Sequence, residues 1–173
     1  MRHGPRSVKA STDYFQSGIR LGGALGVACA LMYAEPAAQP ADNLCGAAIV
    51  ADLKLDHDVA CTGDGLIAGA DGIRIDLNGY TLSGSGAGVG IMVTGFHEVT
   101  ISGGTIATFA TGIRVNTATD IDIKHVEFAG NPEGIDFQAG SAGNSAKENV
   151  FRNSTIRGIM NSETTCANAS RVT

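Results

Sequence analysis

The segments GIRV (112–115) and GIDF (134–137) place Arg114 and Asp136 at the same position of two alternating apolar runs, 22 residues apart. Side chains alternate across a strand, so with the isoleucines turned inward both charged groups point to solvent. An arginine beside a carboxylate could move protons on a sugar, or be a cross-strand ion pair and nothing more. Met92, Asn116 and Gln138 fall at neighbouring outward positions and would widen the pair into a binding face. A second group is LDHD (55–58), in which His57 and Asp58 adjoin and are both of proton-transferring type. The third, TDIDIKHVEF (119–128), is the densest charged stretch, with Asp120, Asp122, His125 and Glu127. Alternation sends its carboxylates outward on two walls, on either side of Lys124-His125, so they converge only beneath a covering loop. None of these groups has the number or spacing of a metal-ligand set, and no metal site is expected.

The elements that would position them form a repeat. IDLNGYTL (75–82), VTISGGTI (99–106), IDIKHVEF (121–128) and NVFRNSTI (149–156) each hold an apolar run, a two-residue polar bend and a second run. Between them recur GIMV (90–93), GIRV (112–115), GIDF (134–137) and GIMN (158–161), with GLIAG (65–69) as an earlier, weaker copy. A hairpin at Asn78-Gly79 would explain one Asn-Gly pair. A coil of about 22 residues stacked on copies of itself explains the period as well. The predicted fold is therefore all-β: a right-handed, three-sheet parallel β-helix of about 4–5 coils, with adjacent coils about 4.8 Å apart. Its expected inward columns are Ile91/Ile113/Ile135/Ile159, Val93/Val115/Phe137, Leu77/Ile101/Ile123/Phe151 and Leu82/Ile106/Phe128/Ile156. Its expected corners are Asn78-Gly79, Ser102-Gly103, Lys124-His125 and Arg152-Asn153.

GADGIRIDLNGYTLSG (69–84), followed by VTISGGTI and GIRV, resembles the parallel β-helix repeat proteins of the pectin-lyase-like superfamily over about residues 50 to 160. The resemblance implies that the Gly-Ile strands form the first sheet, the face where enzymes of the group usually bind polysaccharide. It leaves the function open, because the group holds lyases, hydrolases, epimerases, binding proteins and scaffolds. A lyase-like site would need several carboxylates for Ca²⁺ beside an arginine base, and a hydrolase-like site would need a cluster of aspartates. Neither set is present, so no cofactor is expected. LDHD is similar to the Asp-Pro-His-Asp motif of alginate epimerases, but Leu55-Asp56 stands in place of Asp-Pro.

Residues 1–38 read as an export signal and leader. A lead carrying Arg2, Arg6, Lys9 and Arg20 precedes an uncharged run from Leu21 to Ala34 that is too short for a comfortable membrane span. Residues 39–64 read as an N-terminal cap closed by a Cys45–Cys61 disulfide, residues 65–160 as coils, and residues 161–173 as a polar tail that ends the chain without a cap. Residues 1–40 carry a net +2 and residues 41–173 a net −7, within an overall −5. An exported acidic chain with no basic cluster is a poor nucleic-acid binder. The leading expectation is an exported repeat module that binds polysaccharide or a protein partner on one sheet face without catalysing a reaction. The alternatives are the N-terminal part of a carbohydrate-active enzyme whose site lies beyond Thr173, and a periplasmic accessory protein resembling the NosD family. Self-association through the last coil or through Cys166 is also expected.

Overall fold

The computed structural model describes residues 44–158, and every regular element among them is a β-strand. The leader, Cys29, Ile159, Cys166 and the polar tail lie outside the described residues. The first coil holds β1 (Ala48–Ile49), β2 (Leu53–Lys54) and β3 (Val59–Ala60), and the second holds β4 (Leu66–Ala68), β5 (Arg74–Asp76) and β6 (Thr81–Ser83). In the third coil, β7 (Val89–Thr94) leads into one long strand, β8 (Thr100–Ala107). The fourth repeats this with β9 (Thr111–Asn116) and β10 (Asp122–Ala129). The fifth holds β11 (Glu133–Phe137), β12 (Ser145–Lys147) and β13 (Val150–Arg152), and β14 (Thr155–Gly158) opens a sixth.

Each strand pairs in parallel with its equivalent one coil away. The first sheet runs β1-β4-β7-β9-β11-β14, and the eight-stranded second sheet covers the other two walls. These two walls are one sheet because β8 and β10 continue through the corner between them. Stacking begins at Ala48, inside the stretch read from sequence as a cap. Asn78-Gly79 is a solenoid bend, with φ of 51° and 84°. The bond between Cys45 and Cys61 closes the first coil, with Cα atoms 5.5 Å apart. On the chain-entropy account a loop of this length contributes about 3 kcal/mol.

Side chains stack along the axis. Leu66, Ile91, Ile113, Ile135 and Ile156 share one column, and Val93, Val115 and Phe137 share the next. The glycines before Ile91, Ile113 and Ile135 are required by close approach. A Cβ on Gly112 would sit 2.5 Å from the Gly134 carbonyl oxygen and 2.7 Å from the Phe128 ring, so no larger residue fits without displacing backbone.

Three expected alignments are corrected. Ile101 and Ile123 stack on Ile75, not on Leu77. The corner of the second coil is two residues longer than that of the third, from Asp76–Thr81 to Ser102–Thr105, and Leu77 is its additional buried residue. Phe151 stacks on Phe128, while Ile156 joins the Ile135 column on the first sheet. The strand above Ile123 is Ser145–Lys147, which places the fifth-coil corner at Lys147-Glu148 and moves Arg152-Asn153 to the next corner.

The third correction explains the second. Residues 138–148 (QAGSAGNSAKE) look from sequence like a soft polar edge, yet they form part of a coil. Ser141, Asn144, Asn149 and Ser154 are buried. Each accepts the backbone N–H of the residue below it, from Ala118, Ile121, Val126 and Asn131 respectively. Polar side chains turned inward at corners supply the acceptors that the ladder loses where the chain bends.

Candidate functional site

The first sheet brings together the first group of residues that the sequence singled out. Met92, Arg114 and Asp136 occupy one outward column, and Asn116 lies beside it in register with Thr94. Arg114 Nε donates to Asp136 Oδ2 at 3.1 Å, and Gln138 Nε2 donates to the same oxygen at 3.0 Å. Two residues missed at the sequence level complete the network. Arg114 donates to Thr111 Oγ1 at 3.1 Å, and that hydroxyl donates to Glu133 Oε2 at 3.1 Å. Strict alternation would turn residues 111 and 133 inward. β11 bulges between Glu133 and Ile135 where it meets β14, whereas β9 and β11 stay in register at Thr111 and Glu133. The residue ahead of each Gly-Ile pair was the signal available. Toward the N-terminal coils the same face turns apolar, with Ala48, Ile67 and Met92 along one line and Val50 58% exposed.

The other candidates do not join this face. His57 and Asp58 lie in the first coil at the corner between β2 and β3. His57 Nδ1 hydrogen-bonds Asp56 Oδ1 at 2.6 Å, and Asp58 Oδ1 accepts the Thr81 N–H at 2.7 Å. Asp52, Asp64 and Asp71 likewise accept N–H groups of the coil above, so these carboxylates act as corner caps. Within 119–128 the charged groups pair separately: Lys124 with Asp122, His125 with Glu148, and Arg152 with Glu127.

The ionisation of Asp122 is displaced by its surroundings. Burial works to raise its carboxyl, but hydrogen bonds from Ser145 and Lys124 and the charges of Lys124 and Lys147 outweigh burial. The group is held below the ordinary carboxylate range. A lowered folded-state value stabilises the fold above the unfolded value of about 3.9, and this is lost as pH falls through the folded value. Ser145→Ala is therefore expected to melt below the parent at neutral pH, with the gap closing in acid. Thermal melts of both chains down the pH scale check this; a gap that persists below the folded value refutes it.

Residues 61–169, more than half of the chain, match the family model described as NosD, periplasmic copper-binding protein. The chain belongs to the NosD family. No curated protein and no solved structure matches it. As a NosD-family member it is a right-handed β-helix module of the periplasm, and no helix among the described residues is long and apolar enough to cross a membrane.

Copper, the metal in the family's description, needs soft or imidazole donors gathered at one place. Among the described residues no three His, Cys, Asp or Glu side chains gather as a ligand set. His57, His97 and His125 sit on three different coils, each beside a carboxylate. Met92 stacks between Ile67 and Arg114, and a cationic neighbour is unsuited to a copper ligand. Cys45 and Cys61 are the single adjacent pair of soft donors among these residues, and they are bonded to each other. In that state the described coils do not fit copper.

Proposed function

We propose that this NosD-family chain is a non-catalytic binding module that docks a periplasmic protein partner on the outer face of its first sheet. The observation that carries this is the Thr111–Arg114–Glu133–Asp136–Gln138 network, in which the polar groups hold one another. Such an array is a rigid, pre-ordered hydrogen-bonding surface, and its arginine and carboxylates are engaged with neighbours rather than poised as acid and base. The adjoining Val50, Ile67 and Met92 supply apolar area beside it, the composition of a protein interface. A protein is favoured over polysaccharide because no described side chain on the outward positions of these strands offers an aromatic ring for a pyranose to stack on.

The test is site-specific photocrosslinking in the periplasm, with the reactive residue at position 116 on the first sheet or at position 105 on the third wall. One discrete adduct from position 116, absent from position 105 and lost in the Arg114→Ala/Asp136→Ala chain, is the expected result. Turnover of a polyuronate by the purified chain, abolished by Asp136→Ala, would sink the proposal. Retention on an immobilised glycan through the same residues would replace the protein partner with polysaccharide.

A further inference from the structure

We propose that Asn78 is a gated modification site: its side chain deamidates, with Gly79 as the attacking group, when the first coil opens, and is closed to that reaction in the intact solenoid. The pair is the sole Asn-Gly of the chain and sits at an exposed corner. The reaction joins Gly79 N to Asn78 Cγ, and the side-chain nitrogen leaves as ammonia with the Gly79 proton. Water then opens the cyclic imide to aspartate or isoaspartate. Glycine favours the attack because no Cβ crowds the approach of its nitrogen. Two groups must be free: the Gly79 N–H, which gives up its proton, and the Asn78 amide, which must turn toward it. In the structure each is held by a different coil. Gly79 N–H donates to the Gly103 carbonyl of the third coil at 3.0 Å. Asn78 Nδ2 donates to the Leu55 carbonyl of the first coil at 2.9 Å. The Asn78 N–H in turn donates to Asp76 Oδ1 at 2.8 Å, within a corner held at a φ of 51°.

The lower of the two clamps is the gate. Leu55 lies inside the loop that the Cys45–Cys61 bond closes, on the first of the described coils. The strands of that coil are two residues long, and β2 and β3 each meet the second coil through two residue pairs. So few ladder bonds make this coil the part of the solenoid that opens first, and its opening frees the Asn78 amide. The change is one-way. Aspartate at position 78 has no N–H for the Leu55 carbonyl and sets a carboxylate oxygen against it. Isoaspartate also routes the main chain through the former side chain, which lengthens the corner by a methylene. With either product the carbonyl of buried Leu55 has lost its side-chain donor when the coil recloses, so the modified corner favours the open coil.

The experiment incubates the full chain at mildly alkaline pH in three forms: oxidised, reduced with a phosphine, and unfolded in guanidinium. Trypsin then releases residues 75–114, between Arg74 and Arg114, in which Asn78 is the sole amide side chain. The mass rise of an amide-to-acid exchange in that peptide therefore reports Asn78 alone. The expected order is fastest unfolded, slower reduced and slowest oxidised. The oxidised chain should react at least about tenfold more slowly than the unfolded one, the factor that two hydrogen bonds supply. Equal rates in the oxidised and unfolded chains, or in the oxidised and reduced chains, overturn the proposal. A second readout holds even where reduction unfolds the chain. Asn78→Asp, with the disulfide intact, is expected to lose its Cys45–Cys61 bond to a fixed dithiol about tenfold faster than the parent, because the first coil opens more often. Asn153→Asp, at an exposed corner far along the solenoid, is expected to match the parent. A parental rate for Asn78→Asp, or an equal acceleration in Asn153→Asp, overturns the proposal.

Discussion

Phe128→Ala is expected to lower the unfolding free energy by about 3–5 kcal/mol, the range for removing a large buried aromatic side chain. Phe128 is fully buried, and its ring stacks on Phe151 with centroids 4.9 Å apart and planes within 6°. The same ring lies against Gly112, where it would meet any added Cβ at 2.7 Å. Truncation therefore removes contacts to the coil above and to the first-sheet strand at once. The backbone on both sides is tied into parallel ladders, so the cavity has little means of collapsing. Equilibrium denaturation by urea checks this against Phe128→Leu, which keeps much of the volume and is expected to lose far less. A loss below about 1.5 kcal/mol, the upper range for volume-conserving swaps, would mean that the coils close over the gap.

Asn131→Ala is the second large effect, and it acts through hydrogen bonding. Asn131 is fully buried at the corner between the third wall and the first sheet. Its Oδ1 accepts the Phe109 N–H at 2.9 Å and its Nδ2 donates to the Ile106 carbonyl at 2.7 Å. Removing the side chain orphans both backbone groups in the interior, at about 1–3 kcal/mol for each. The comparison is with Thr105→Ala on the outer surface, which is expected to change stability by no more than about 0.5 kcal/mol. Amide exchange gives a local readout: the Phe109 N–H should lose protection before its neighbours in β9. Retained protection at Phe109 would show another acceptor taking over.

The two predictions also mark what was hidden in the residues. Phe128 was legible as an inward residue from its place in IDIKHVEF, because a period-2 pattern reports which face of a strand is apolar. Its true neighbour was not legible. NVFRNSTI matched the earlier repeats by type, but its Phe151 and Ile156 belong one wall further on, since residues 141–147 had already made the preceding wall. Asn131 could not be singled out at all. A lone Asn before a proline reads as an exposed turn, and only the stacked coil beneath it supplies the N–H and carbonyl that bury it.

The first-sheet site divides in the same way. Arg114 and Asp136 could be paired from their 22-residue spacing, because a solenoid turns equal spacing into adjacency. Thr111 and Glu133 could not, because alternation from Ile113 and Ile135 assigns both to the interior, and alternation is all that a strand pattern encodes. The charge of the N-terminal coils is a further case. Asp58, beside His57, looks in sequence like material for proton transfer, and Asp52, Asp64 and Asp71 lie in the same coils. In the fold each accepts a backbone N–H of the next coil.

By itself, then, the sequence determined the parallel β-helix, its period, the isoleucine and valine columns of the first sheet, and the Cys45–Cys61 bridge. Each of these follows from local periodicity or from short separation along the chain. The tertiary structure alone decided the register of the fifth coil, the inward asparagines and the full membership of the first-sheet network. Those depend on how many residues each corner consumes, and a corner's length is set by which backbone groups the neighbouring coil offers it.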